Sequence, residues 1–175
     1  MASADRVLSA EFFARETVEV SRDLLGVFLC REFEGEVLRW PLTEVEAYDG
    51  PEDRACHAHK GRTPRNAVMF GSPGVFYVYL CYGVHWMLNI VTGPQDFPAA
   101  VLIRGAGDVS GPGRLTKAMR IHKQLNGKRA TRASGLWFER GELVPEIAVE
   151  RTPRIGIGYA PEPWLSAPYR FVRKY

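Results

Sequence analysis

Two long strand-like runs fill much of the first half of the chain, and each doubles back through a glycine. GVFLCREF (26–33) and EVLRWPLTEVEAY (36–48) flank Glu34–Gly35, and GVFYVYLCYGVHWMLNIVTG (74–93) reads as two strands meeting at Gly83. A further run, AAVLIRGA (99–106), follows, and GLWFERG (135–141) and RIGIGYA (154–160) read as shorter strand-like pieces between turns. Pro41 lacks a ladder N–H, so it suggests an edge or a bulge in the second strand. Strands dominate without regular βαβ alternation. The expectation is an α+β fold: a single mixed domain with a curved, mostly antiparallel β-sheet and short flanking helices.

Helical spacing is confined to a few places. SAEFFARETVEVSRDLLG (9–26) has it, with Gly26 as its stop. GRTPRNAVMFGSPG (61–74) reads as a loop with one helical turn after Pro64. GPGRLTKAMRIHKQL (111–125) places Leu115, Ala118, Met119, His122 and Leu125 on one side and reads as a helix entered through a Gly-Pro-Gly turn. At 175 residues the chain suits one domain, 1–175, with a sizeable core. No apolar run is long enough to cross a bilayer, so no membrane partner is expected. MASADRVLSAEFFARE carries charges where a signal peptide needs an apolar block, which points to an intracellular protein of the cytoplasm, nucleoid or nucleus. The three cysteines, Cys30, Cys56 and Cys81, are an odd set and do not suggest a disulfide framework. A monomer is the expectation.

The formal net charge is +3. Its distribution says more, because Arg104 to Arg132 holds eight Lys or Arg and one acid, Asp108. One basic face is the footprint of a polyanion such as nucleic acid. On charge alone a solvated face without a partner explains it as well.

The chemistry-bearing residues concentrate in TEVEAYDGPEDRACHAHKG (43–61). In a strand, Leu42, Glu44, Glu46 and Tyr48 share one side and Thr43, Val45 and Ala47 the other. An acid beside an aromatic at a strand end can acquire a raised pKa and act as a general base. Periodicity leaves Glu44 and Glu46 equal candidates, and a surface strand with two solvated acids fits the pattern too. Tyr77 and Tyr79 share a strand face, Tyr82 sits at the turn, and Asn89 follows on the next strand. Such an aromatic wall is either core packing or a slot that stacks an extruded base, with the turn residue replacing it in the duplex. Cys56, His57 and His59 are compact but have no second ligand pair at a zinc spacing, so no metal is expected. SGPGRLTKAMR (110–120) can offer backbone N–H groups at Gly111 and Gly113, with Arg114 and Lys117, to a nucleic-acid phosphate. An ordinary capped helix is the plainer alternative.

Taken together, TEVEAYDGPEDRACHA, GRTPRNAVMF, GVFYVYLCYGVHWMLNI, AVLIRG, SGPGRLTKAM and RIGIGYA resemble, in order and spacing, the alkyladenine (3-methyladenine) DNA glycosylases. The resemblance runs from about Phe12 almost to the C-terminus. It implies a single mixed domain with a curved antiparallel sheet. It also implies an enzyme that initiates base excision repair on double-stranded DNA, removing purines such as 3-methyladenine, 7-methylguanine, hypoxanthine and ethenoadenine. No cofactor and no lysine nucleophile are implied. By this resemblance Glu46 corresponds to the general base and Arg104 to the arginine that helps hold the attacking water. Tyr48, His57 and Tyr79 correspond to the walls around the flipped base, Asn89 to the group that crowds the amino group of normal guanine, and Tyr82 to the residue inserted into the duplex. Val84 and His85 depart from larger or aromatic residues of relatives, and the long N-terminal extension of some members is not seen. These differences bear on lesion preference and grip, not on the reaction. A nucleic-acid-binding module without catalysis, or a metal-dependent hydrolase built on Cys56, His57 and His59, are the competing readings.

Overall fold

Both hairpins form as the sequence suggests. The structure is a computed structural model and describes residues 6–175; residues 1–5, the start of the charged N-terminal stretch, lie outside the described residues. Strands β1 (Phe28–Phe33) and β2 (Glu36–Tyr48) join through Glu34 and Gly35, at φ 51° and 82°. Strands β3 (Phe76–Cys81) and β4 (His85–Val91) join through Tyr82 and Gly83, at φ 51° and 67°. Two successive left-handed residues give the type I′ turn, whose twist matches that of paired strands. Strands β5 (Ala100–Ala106), β6 (Val109–Ser110), β7 (Leu136–Glu139), β8 (Val149–Thr152) and β9 (Arg170–Arg173) complete the sheet. The order is β3-β4-β5-β2-β1-β7, with β6 on β5 and β9 between β2 and β8. Every pairing is antiparallel and the sheet curls into a half-barrel.

The long β2 carries the site. Its first half pairs with β1, and from Glu44 to Glu46 the same edge pairs with β9, while β5 holds the other edge. The irregularity that Pro41 announces lies just beyond it, as register shifts on either side of Glu44. Gly105 faces this bulge, where an added Cβ would come within 2.8 Å of Thr43 Oγ1. A side chain there would press on the Thr43 hydroxyl and lie 3.3 Å from Val109 O, so glycine fits the bulge best.

Alternation divides the central strands into two faces. Val45, Ala47, Phe76, Val78, Leu88, Ile90, Val101 and Ile103 enter the main core, where they meet residues such as Leu24, Leu115, Met119 and Phe138. The other face carries the candidate site.

Three sequence expectations need correction. The run 9–26 is not one helix but α1 (Ala10–Phe13) and α2 (Thr17–Leu24). The carbonyls that would continue the first helix are taken: Arg15 Nε donates to Phe12 O at 3.1 Å and Gly93 N–H donates to Phe13 O at 3.0 Å. The run 111–125 is also interrupted, since α3 (Pro112–Ala118) ends before a left-handed Arg120 at φ 52°. Ile121 N–H bonds Thr116 O and Arg120 N–H bonds Lys117 O, which is the Schellman arrangement. Arg31 donates to the freed carbonyls of Met119 and Arg120. RIGIGYA forms successive turns rather than a strand. Within the basic stretch, Arg104 pairs with Glu44 and Arg132 with Glu139, while Arg114 and Lys117 of α3 and Lys123, Lys128 and Arg129 beyond it are exposed.

Candidate active site

A cavity of about 300 Å³ opens on the polar face of the sheet. Its walls come from the end of β2, from β3, β4 and β5, from the 49–61 loop and from the turns of 155–159. Tyr77 and Tyr79 lie two residues apart on β3, so both rings reach the cavity, 5.2 Å apart at 33°. His57 meets Tyr79 edge-on at 4.6 Å, and its Nδ1 lies 3.3 Å from the Tyr77 hydroxyl. Burial, which disfavours the charged ring, and then the charge of Arg65 hold His57 below its ordinary pKa. It is therefore a neutral ring at neutral pH. Asn89 faces Tyr77 in the β3–β4 ladder, is buried, and donates from Nδ2 to Tyr77 O at 3.2 Å. Tyr82 stands at the cavity rim with 94% of its surface exposed, so core packing does not explain it.

The two acids that alternation left equal have different surroundings. Glu44 accepts on one oxygen, Oε1, from Arg104 Nε at 2.8 Å and Arg170 Nε at 2.7 Å. Burial opposes its ionisation, but these hydrogen bonds and charges hold Glu44 below the ordinary carboxylate value. Glu46 is 0% exposed. Its Oε1 accepts from the Tyr48 hydroxyl at 2.9 Å and its Oε2 from Ile155 N–H at 2.7 Å, while Arg104 Nη1 lies 3.7 Å from Oε1. Burial raises its pKa, against the downward pull of Arg104, Ile155 N–H and Tyr48. The Glu46 side chain does not itself line the cavity. It lies behind Tyr48 and Arg104, which do, and Oε1 is the oxygen turned towards them.

At the rim, Gly111 precedes α3 at φ 109° and Pro112 lines the cavity. Gly113 packs on His85, whose Nδ1 would lie 2.8 Å from an added Cβ. The hairpin tip bearing Tyr82 and the start of α3 are thus held side by side.

One structural element was not legible in the sequence. Arg154 and Asp53 form a fully buried double ion pair, at 2.5 and 3.0 Å, and Arg154 also donates to Ala47 O at 2.9 Å. Its guanidinium lies between the rings of Tyr48 and Tyr169, 4.9 and 5.1 Å from their centroids. This clamp fixes the 49–55 loop to the turn at Ile155, and so aims the Ile155 N–H at Glu46. Tyr159, which lines the cavity and donates to Ala55 O at 3.1 Å, ties the same two segments together. RIGIGYA supplies these residues, yet nothing in its spacing reveals a partner at Asp53.

Cys56, His57 and His59 do not converge. Cys56 Sγ lies 3.6 Å from Pro98 O, His59 turns to Cys56 O, and His57 turns to Tyr77. Among the described residues, no three His, Cys, Asp or Glu stand together as a possible metal site, and no helix is long and apolar enough to cross a membrane.

Comparison with known proteins puts this arrangement among the DNA glycosylases. The pattern of the methylpurine-DNA glycosylase (MPG) family matches residues 11–110 and 108–175. A protein of Psychrobacter cryohalolentis is 42% identical over 184 residues, covering 88% of this chain and 86% of its own. Relatives in Methanocella arvoryzae and Anaeromyxobacter dehalogenans are 43% and 44% identical, covering 96% and 94% of this chain and 92% and 82% of their own. All three carry 3-methyladenine DNA glycosylase as a provisional name. The chain belongs to the methylpurine-DNA glycosylase family.

Proposed function

We propose that the protein is a monofunctional DNA glycosylase that removes alkylated and deaminated purines from double-stranded DNA by hydrolysis. The observation that carries this reading is the buried Glu46, set directly behind Tyr48 and Arg104, which line an aromatic cavity. The damaged nucleotide rotates out of the duplex and Tyr82 takes its place in the stack. The purine enters among Tyr48, His57 and Tyr79, where its plane meets aromatic rings. Asn89 at the cavity wall crowds the exocyclic amino group of normal guanine. Gly111 and Gly113 N–H groups, with Arg114 and Lys117, hold backbone phosphates.

As the N-glycosidic bond breaks, the electron pair leaves with the purine and positive charge builds on the sugar. The Glu46 carboxylate stabilises that charge and accepts the proton of a water that Arg104 helps to hold. The water oxygen bonds to C1′, leaving an abasic site and a free base. No lysine is among the cavity-lining residues, so no amine is placed to attack the sugar.

The test is incubation with labelled duplexes, each holding one damaged purine, followed by alkaline cleavage of abasic sites. Strand cleavage only after alkali is expected, together with no covalent adduct on borohydride reduction. An efficient borohydride-trapped adduct would exclude the hydrolytic route, and no abasic sites on any lesion would leave a binding module.

A further inference from the structure

Glu44 is too well held to be a bystander, and it holds Arg104, which also reaches Glu46. Its Oε1 joins Arg104 of β5 to Arg170 of β9, and Arg170 is itself braced by donating from Nη1 to Thr152 Oγ1 at 3.0 Å. All three charged side chains of this relay are largely shielded from water, at 10%, 12% and 22% side-chain exposure for Glu44, Arg104 and Arg170. A guanidinium is a rigid planar fork. Tying down Nε at Glu44 fixes the plane, so the terminal nitrogens of Arg104 point to Glu46 and the cavity. Register shifts in the β2–β5 ladder flank Glu44 on both sides, between the strands that carry the two arginines.

Resting on the reading of Glu46 as general base, we infer that Glu44 and Arg170 are positioning residues: Glu44 aims Arg104 and sets a negative charge beside Glu46, and Arg170 moderates that charge. The groups facing Glu46 are Arg104 from β5, Glu44 and Tyr48 from β2, the Ile155 N–H and Arg154 from the segment after β8, and Arg170 opposite it on β9. Of these, Glu44 is the only other carboxylate. Its negative charge disfavours a second ionised carboxylate and makes Glu46 the stronger base. Each arginine hydrogen bond to Glu44 weakens that influence.

The two partners therefore act in opposite directions, which a general loss of structure cannot imitate. Glu44→Gln keeps the shape but loses the charge, so Glu46 becomes easier to ionise. Arg170→Gln leaves Glu44 less neutralised, so Glu46 becomes harder to ionise. The measurement is single-turnover excision against pH on a duplex holding 7-methylguanine. That base is already cationic and leaves without being protonated, so the acidic limb reports the general base. For Glu44→Gln the limb should move to lower pH, with a several-fold lower plateau, since removing a nearby like charge makes a carboxylate easier to ionise. For Arg170→Gln it should move to higher pH. Limbs that stay at the wild-type position, or that move the same way in both variants, overturn the inference. Should Glu44→Gln fail to fold, as a melting curve would reveal, the direction of the Arg170→Gln shift decides alone. Glu46→Gln is run beside them. If it is inactive while the limbs stay put, only the relay fails; if it excises normally, the reading of Glu46 fails.

Discussion

Strands β2, β3, β4 and β5 show one face to the core and the other to the cavity, with residues alternating between them almost one by one. On the core face Val45, Phe76, Leu88, Val101 and Ile103 are closed off from water, and each has only apolar neighbours to satisfy. On the cavity face Glu44, Glu46, Tyr48, Asn89 and Arg104 are nearly as shielded, but every one is tied to named hydrogen-bond partners. Full burial of an aliphatic or aromatic side chain contributes about 1.5–3 kcal/mol, whereas a buried carboxylate opposes folding unless it is paired. The raised pKa of Glu46 is that opposition left partly uncompensated. One face thus supplies the stability with which the other keeps an acid buried.

The largest effect expected from this contrast is on chemistry. Glu46→Gln should lower the excision rate by about 10²–10⁴, the range for a general base, while melting temperature stays level or rises because a buried charge has been removed. On the proposed mechanism the carboxylate is the working form. With its pKa raised, activity should fall as pH drops through a value above that of a free glutamate. A Glu46→Gln protein that melts far below wild type would erase the distinction between the faces.

Across the sheet, Leu88→Ala should do the reverse. It leaves a cavity in the main core and should destabilise the fold by about 2–5 kcal/mol, with the excision rate per folded molecule kept. Denaturant unfolding set against single-turnover rates separates the two. A rate loss out of proportion to the unfolded fraction would mean that the core face also shapes the site.

Tyr82 belongs to neither face, and its effect should be intermediate. Stacking of an aromatic on bases is worth about 1–3 kcal/mol, so Tyr82→Ser should weaken specific binding roughly tenfold, since about 1.4 kcal/mol is a factor of ten. At 94% exposure it should leave the melting temperature unchanged. The loss should be least on lesions that are already unpaired, because less energy is needed to extrude them. A melting shift with equal loss on all duplexes would return Tyr82 to a structural role.

The smallest effect concerns α3. Arg114→Ala or Lys117→Ala should flatten the dependence of log binding constant on log salt by about one unit each. An unchanged slope for both would put the duplex on another side of the molecule.

Much of this frame is local in the chain. A two-residue turn with a glycine sets a hairpin, and strict alternation then assigns each side chain to a face. Local rules of that kind made β1–β5 and the shared side of Glu44, Glu46 and Tyr48 readable. The same periodicity failed where a distant group takes a backbone partner, as Gly93 does from the first helix at Phe13, or where a left-handed Arg120 ends α3. It also could not separate the two glutamates. What separates them comes from 60 residues away in Arg104, 109 in Ile155 and 126 in Arg170. The clamp between Asp53 and Arg154 spans 101 residues. Alternation and turn type are properties of neighbouring residues, so the sequence determined them. The ionisation of a carboxylate depends on burial and on which charges the fold brings within a few ångströms, and only the tertiary structure decided that.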